Sequence, residues 1–339
     1  MTSRHPSWQG FLKSNPVEWL LEENNPSVRY FTLKDIQDRS MNPVDVQSAK
    51  SLIMITGVVP KILAKQEPGG YWGVPGDFYI RSKYKGTVWT FILLAQLGAD
   101  GSDERIKRTC EFLLQYAQDR DSGGFACRGT TEEGGSHNIV IPCLTGNLAW
   151  SCLRFGYLTD PRVQKGIDWI VDYQRFDDGI EQAPAGWPYE KHHDCWGTHS
   201  CHMGVVKALK TLAEIPPEAR AESVRKKIEA GAEYLLQHHI YKQSHALDKI
   251  SKPEWLQLGF PWMWQTDILE ILDILTSLGY RNERMQDAID QILSKQDDEG
   301  RWWMERTLNG RFQASIEPKG KPSKWVTLHA LKVVKRFYQ

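Results

Sequence analysis

A unit recurs along this chain, and self-similarity at a fixed period constrains a fold more than any other feature of a single sequence. LGADGSDERIKRTCEFLLQYAQDRDSGGF (97–125), FGYLTDPRVQKGIDWIVDYQRFDDGI (155–180) and LGYRNERMQDAIDQILSKQDDEGRW (278–302) share one plan. Each opens on a Gly that ends a helix and passes a short polar turn that serves as N-cap. A helix of about four turns follows, closed by Gln, acidic residues and Gly. An earlier copy closes at Gln66, followed by Gly69, Gly70, Tyr71 and Trp72. The Gly marks at 70, 124 and 179 lie 54 and 55 residues apart, and 179 to 300 is 121, two units.

Between these marks lie partner helices that are apolar on most faces: 87–97, 144–155, 198–212, 266–278 and 326–337, with 28–36 as a shorter sixth. The repeated set is amphipathic: 16–23, 45–55, 104–117, 162–173, 218–238 and 283–295. Helices apolar all round are buried and amphipathic ones cover them. Strict alternation of six and six predicts an all-α (α/α)6 toroid, with no competing strand pattern. No linker interrupts it, so residues 1–339 read as one domain.

The connections are lopsided. Those from a buried to an outer helix are short, such as 159–161. Those from an outer to a buried helix are long: 66–86, 119–143, 175–197, 240–265 and 297–325. Long connections in a compact domain carry function or are disordered, and the Trp, Gly and His content here argues against disorder. The expected active face is therefore the barrel end where the buried helices present their N-termini.

KHHDCWGTHSCHMGVVKALKTL (191–212) concentrates metal-capable side chains on that face. Cys195, His199 and His202 fall at i, i+4 and i+7, one stripe of the expected helix. Cys143 opens the preceding buried helix, and Cys127 lies in the loop before it beside His137. Six cysteines in 339 residues are too sparse for a disulfide scaffold, so they read as reduced thiols in a cytoplasm. A tetrahedral zinc takes four N or S ligands, three if it is catalytic. Cys127, Cys143, Cys195 and His199 supply that set, with His202 in reserve. The competing reading is plain packing, since Cys is a common buried residue and His202 fits a satisfied core histidine. Cys110, Cys152 and Cys201 are assigned to packing outright.

Asp194, Asp77 and His137 are the candidate catalytic groups. Asp194 leads, as a general acid or as the hydrogen-bond partner of a ligand histidine; an N-cap is the alternative for Asp77, Asp194 and Asp267. Tyr84, Trp89, Trp196, Trp262 and Trp264 are expected to line an aromatic cavity, while Trp72 and Trp302 brace helices. Arg81 and Lys83 could receive a phosphate or serve as a solvated loop. Basic and acidic residues balance at 42 each, so no net field argues for nucleic acid. Residues 1–10 lack the apolar core of a signal peptide, and no window reads as a membrane span. A small apolar or aromatic molecule is the expected partner.

The repeat signature, Q-x(3–5)-G-G/D-x-[FW] after each outer helix with GGYWG at 69–73, resembles the prenyltransferase and squalene-cyclase repeat superfamily. PCLTGN (142–147) and CWGTHSCHMGVVKAL (195–209) mark a stand-alone prokaryotic branch of it. The resemblance covers about residues 60–335 and implies an α/α toroid with a cavity. It departs from the cyclases in lacking a D-x-D-D acid motif. Protein prenyltransferases hold zinc through Asp, Cys and His; here Asp194, Cys195 and His199 are similar in type but differ in spacing. The expected function is a zinc-dependent enzyme acting on an apolar substrate, isoprenoids included. A metal-assisted lyase or hydrolase of a small aromatic or carbonyl compound is the alternative enzyme. A non-catalytic toroid with a structural Cys/His site is the alternative of another class.

Overall fold

The computed structural model describes residues 7–79, 81–179, 182–197 and 199–339. Its helices in chain order begin with α1 (Val17–Leu20), α2 (Pro26–Phe31, continued by a π-helical turn to Ile36), α3 (Val44–Ile55) and α4 (Val58–Leu63). Then come α5 (Thr87–Gln96), α6 (Glu104–Tyr116), α7 (Pro142–Arg154), α8 (Pro161–Tyr173) and the single turn α9 (His193–Trp196). The chain finishes with α10 (His202–Glu214), α11 (Glu222–Gln237), α12 (Ile268–Ser277), α13 (Gln286–Ser294) and α14 (Lys324–Tyr338). The fold is mostly helical, but strict all-α needs correction. Two antiparallel hairpins interrupt the long connections, β1 (Gly129–Thr130) with β2 (Gly134–Gly135) and β3 (Lys242–Gln243) with β4 (Ala246–Ile250). Three of the four strands have two residues, too short for an alternation to read, and the five of β4 are half-buried or exposed throughout.

Every residue of α5, Thr87 to Gln96, is buried, whereas α6 and α8 bury one stripe each. The inner helices follow one another as neighbours: α5 against α7, α7 against α10, α10 against α12, α12 against α14, and α14 against α2. Phe31 at the end of α2 packs on Gly98 just past α5, where a Cβ would stand 2.9 Å from its ring. Outer helices start on side-chain caps: Asp103, Asp160 and Asn282 each accept from the amide two residues on. Gly98, at φ +75°, supplies the left-handed residue that ends α5.

The repeat is a brace. Gln66 Nε2 donates to Arg105 O on the next outer helix (2.7 Å), and Gln118 Nε2 does the same to Arg162 O (2.7 Å). The aromatic residue that follows hands its amide to a Thr in the first turns of the next inner helix. Trp72 N meets Thr87 Oγ1 at 3.1 Å, Phe125 N meets Thr145 Oγ1 at 2.9 Å and Trp302 N meets Thr327 Oγ1 at 2.9 Å. Trp72 and Trp302 also donate Nε1 to Ile62 O and Ile292 O. Both are the braces the sequence predicts.

The apolar run Val44–Leu63 has the length and composition of a membrane-spanning helix. Thr56 and Gly57, the latter at φ +76°, divide it into α3 and α4, and it carries Asp45, Lys50 and Lys61. All six cysteines are free thiols.

Candidate functional site

The expected helix over 198–212 begins late. Thr198 lies outside the described residues, and α10 starts at His202 with Cys201 as its N-cap residue in extended backbone. Before it the chain pairs with the preceding loop: His199 bridges Asp178, and Ser200 N donates to Asp177 O. Ser200 Oγ also donates to Asp177 Oδ1 at 2.7 Å. Cys195 sits apart, in α9. The i, i+4, i+7 stripe therefore does not form, because a hairpin-like pairing claims the backbone that a helix would need.

The thiols come together nonetheless. Cys143, the second residue of α7, lies in the electrostatic reach of Cys127 and Cys201, and Cys195 hydrogen-bonds Cys201. Burial pushes the thiols of Cys127 and Cys143 each up to about 12. Cys201 moves the other way, to about 6. It accepts from Cys195, and its sulfur faces the amides of Met203 and Gly204 at the start of α10, without the geometry of a capping hydrogen bond. Cys195, as the donor of that pair, is pushed up. The residue assigned to packing is thus the one thiol of the group poised to ionise. The sequence carried a signal, a Cys directly before the run that forms α10, which the expected start at 198 concealed.

The imidazoles expected to complete this set turn elsewhere. The His199 ring fills the space beside Gly179, where a Cβ would stand 2.1 Å from it. His202 stacks on Trp255 at 4.1 Å, and burial draws its pKa down to about 3. Zinc bonds of about 2.0–2.3 Å hold their donor atoms within about 4 Å of one another. Among the described residues, no three of these thiols and imidazoles bring donor atoms within 4.8 Å of one another; Asp119, Asp121 and His137 do. The donors suit zinc in type, while their spacing does not close around one ion.

The candidate acids and bases disperse. Asp194 is exposed, with no partner among the described residues. Asp77 accepts from Ser82 Oγ at 2.6 Å, its other oxygen buried and unpartnered. His137 Nδ1 lies 2.7 Å from Asp119 Oδ2, with its ring stacked on Trp187 at 4.1 Å. Asp119 already accepts from Ser122, and Asp121 and His137 are exposed, as in an ordinary loop cluster.

Of the expected lining residues, four converge. Trp264 Nε1 donates to Tyr84 Oη at 3.1 Å, Tyr84 meets Trp89 edge to face, and Lys83 Nζ lies 4.8 Å from the Trp264 ring. They pack on one another. Arg81 is exposed and joins none of them. Trp196 is fully buried against Trp169 and Tyr189 and lines nothing. Trp262, in the connection before α12, donates Nε1 to the N-cap Asp267 Oδ2 at 3.2 Å and lines a different space.

A cavity of about 390 Å³ is walled by the C-terminal ends of α5, α7 and α10, by Glu270–Ser277 of α12, by Trp325–Arg336 along α14 and by Phe31 of α2. The short connection after α10, with Pro216, Pro217 and Arg220, also lines it. Its aromatic wall is Phe31, Trp150, Trp262 and Trp325. Its basic residues are Lys34, Arg154, Lys210, Arg220, Lys332 and Arg336, against Asp35, Glu214, Glu270 and Asp273. Behind the wall, Lys207 Nζ reaches both oxygens of Glu270 at 2.7 and 2.5 Å, both side chains wholly buried. Burial alone would raise Glu270, but Lys207 and Lys210 hold it below the usual range; burial pulls Lys207 down to about 8. Lys210 Nζ, 3.1 Å from Glu270 Oε1, lies 4.0 Å from the Trp150 ring.

On the facing helices, His329 Nδ1 lies 3.1 Å from Asp273 Oδ2, and Arg336 donates to Asp273 Oδ1 at 2.7 Å. Lys332, His329 and Arg336 overcome burial and keep Asp273 ionised. An ionised carboxylate only accepts, so Nδ1 carries the proton and Nε2 offers a lone pair. Nε2 has no protein partner among the described residues, and His329 lines the cavity. Burial, stronger than the pull of Asp273, lowers His329 and keeps it neutral.

None of Lys207, Lys210, Glu270, Asp273, His329, Lys332 or Arg336 is among the sequence candidates. Their signal is charge at i, i+3 spacing inside helices otherwise apolar: 207 and 210, 270 and 273, 329 and 332.

Compared with known proteins, the chain matches no family model and no curated protein. It is similar to solved structures of the type II terpene cyclase MstE from Scytonema. One, a variant in complex with geranylgeranyl dihydroxybenzoate, shares 15% identity with a TM-score of 0.42 over 93% of this chain and 87% of that chain. Another variant, in complex with merosterolic acid A, gives the same values. Likeness at this level assigns neither activity nor substrate.

Proposed function

We propose that the chain is an enzyme in which α2, α5, α7, α10, α12 and α14 form the inner wall of an (α/α)6 ring, and that their common cavity is its active site. The substrate has an apolar body, isoprenoid or aromatic, ending in a carbonyl or anionic group. The apolar part lies against Trp150, Trp262 and Trp325, and the polar end meets the basic excess of the wall. His329 Nε2 acts as general base, its tautomer fixed by Asp273, and Lys210 faces the negative charge that proton removal leaves on the substrate. The observation that carries this is the Asp273–His329 pair, neutral imidazole outward, on the wall of a cavity that combines aromatic and basic side chains. A carbocation formed here would face that same basic wall, so proton abstraction beside a carbonyl suits the cavity better than cationic cyclisation.

The test has two parts. Native mass spectrometry of the purified protein should release a small acid or carbonyl compound with an apolar body. Thermal-shift titration with prenyl diphosphates and with aromatic carboxylates should raise Tm for one class. Lys210→Met should weaken that ligand by tenfold or more, while His329→Gln keeps binding and loses turnover. No retained ligand, and no shift from either class, would remove the proposal.

Zinc at the thiols is a second reading, supported by the convergence of Cys127, Cys143, Cys195 and Cys201. It would brace the starts of α7 and α10, away from the cavity. Stoichiometric zinc lost on Cys143→Ser would support it, and metal-free protein would end it.

A further inference from the structure

A separate group of side chains, used by neither reading, gathers where the loop after α8 meets the end of α11 and the β3–β4 hairpin. His238 Nε2 lies 3.3 Å from Asp178 Oδ1, and His245 Nε2 lies 3.4 Å from Asp178 Oδ2. His238 Nδ1 lies 2.9 Å from Lys242 O. A carbonyl only accepts, so Nδ1 holds the ring proton and Nε2 of the neutral ring presents a lone pair. That lone pair is buried, has no hydrogen-bond partner among the described residues and faces a carboxylate oxygen. Two acceptors held this close repel unless a cation lies between them. A second buried nitrogen without a partner, His202 Nε2, belongs to a ring 5.9 Å from that of His238.

We infer that Asp178, His238 and His245 form a binding site for a borderline divalent transition ion of the Zn2+, Co2+ or Ni2+ class, with His202 as the nearest further donor. Imidazole with one carboxylate is the donor set such ions favour. Two bonds of about 2.0–2.1 Å at a tetrahedral angle set their donor atoms about 3.3–3.4 Å apart, the separation found on each side of Asp178. Lys242 O behind His238 Nδ1 is the outer partner that fixes a ligand tautomer. The two nitrogens approach different oxygens, and the three donor atoms do not all lie within 4.8 Å of one another. His245 closes that gap. Its side chain is 71% exposed on the hairpin, and among the described residues its Nε2 is held only by Asp178, whose backbone oxygen stands 3.3 Å away. The bound ion ties loop, helix end and hairpin together.

The experiment is titration of the full-length, metal-stripped protein with Co2+, read by absorption. Weak d–d bands with no thiolate charge-transfer band are expected, unchanged in Cys195→Ser. His245→Ala, an exposed change that leaves the fold intact by circular dichroism, should weaken binding tenfold or more. Asp178→Asn should do the same. Binding that survives His245→Ala, which would point to Asp119 and His137, overturns the inference. So does a thiolate charge-transfer spectrum, or the absence of any binding.

Discussion

At the scale of single residues, the molecule is decided by charges that ought not to be inside it. Lys207 and Glu270 are wholly buried, and each is tolerated only because the other is there. Glu270→Gln keeps the shape and strands two ammonium groups, so it should cost about 3–5 kcal/mol in urea unfolding. The double variant Lys207→Met with Glu270→Leu should recover most of that loss; equal destabilisation by single and double would refute the pairing argument. Histidines set the acid limit. His329 and His202 have folded pKa values below the unfolded 6.5, His202 at about 3. Below pH 6.5 the unfolded chain takes up protons that these buried rings refuse, so stability falls as pH drops from 6.5 towards 3. Urea midpoints at pH 7, 5 and 4 should decline in that order, and His202→Gln should flatten the decline. These residues were hard to read from sequence for one reason: a Lys in an apolar helix looks like a surface residue until its carboxylate is found on another helix, 63 positions away.

At the scale of elements, the repeat was legible and its chemistry was not. The Gln, Gly and aromatic positions announced a brace, yet the residue receiving it, a Thr in each following inner helix, lies 15 to 25 positions downstream. Thr145→Val keeps the shape and leaves the Phe125 amide buried without an acceptor, so about 1–3 kcal/mol should be lost. Thr131→Val, on an exposed loop position, is the control and should change nothing. Equal midpoints for the two variants would mean the brace does not bear on stability. The fourth copy departs from the pattern: Gln174 Nε2 turns to Arg175 O and its Oε1 is buried without a partner. That irregular unit leads into the segment where the start of α10 was misplaced. Periodicity places a helix to within a turn, but here one turn separates a metal stripe from an N-cap.

At the scale of the whole molecule, the long connections supply little of the cavity wall beyond Trp262. They are long because each houses a brace and a return path, and the thiols and tryptophans they carry pack among themselves. The rest of the cavity wall comes from the inner helices themselves and from the short connection after α10, with Pro216, Pro217 and Arg220. Such a wall holds its shape only if its first and last units join. Lys13 N donates to Gln296 Oε1 at 2.7 Å, Lys13 Nζ to Gln296 O at 2.6 Å, and Phe11 stacks on Tyr338 at 3.6 Å. Gln296 is buried and belongs to the last copy of the repeat, so the N-terminal segment, with its 3-10 turn Trp8–Phe11, stands where a next outer helix would be. Removing residues 1–14 leaves that amide unsatisfied and uncovers the Tyr338 ring. The combined cost is about 2–4 kcal/mol, enough to lower Tm by a few degrees in a chain of this size. If the deletion melts with the full chain, the seam is no part of what holds the fold. If it melts lower, ligand affinity in the cavity should fall with it, because α14 supplies both Tyr338 at the seam and His329 at the wall.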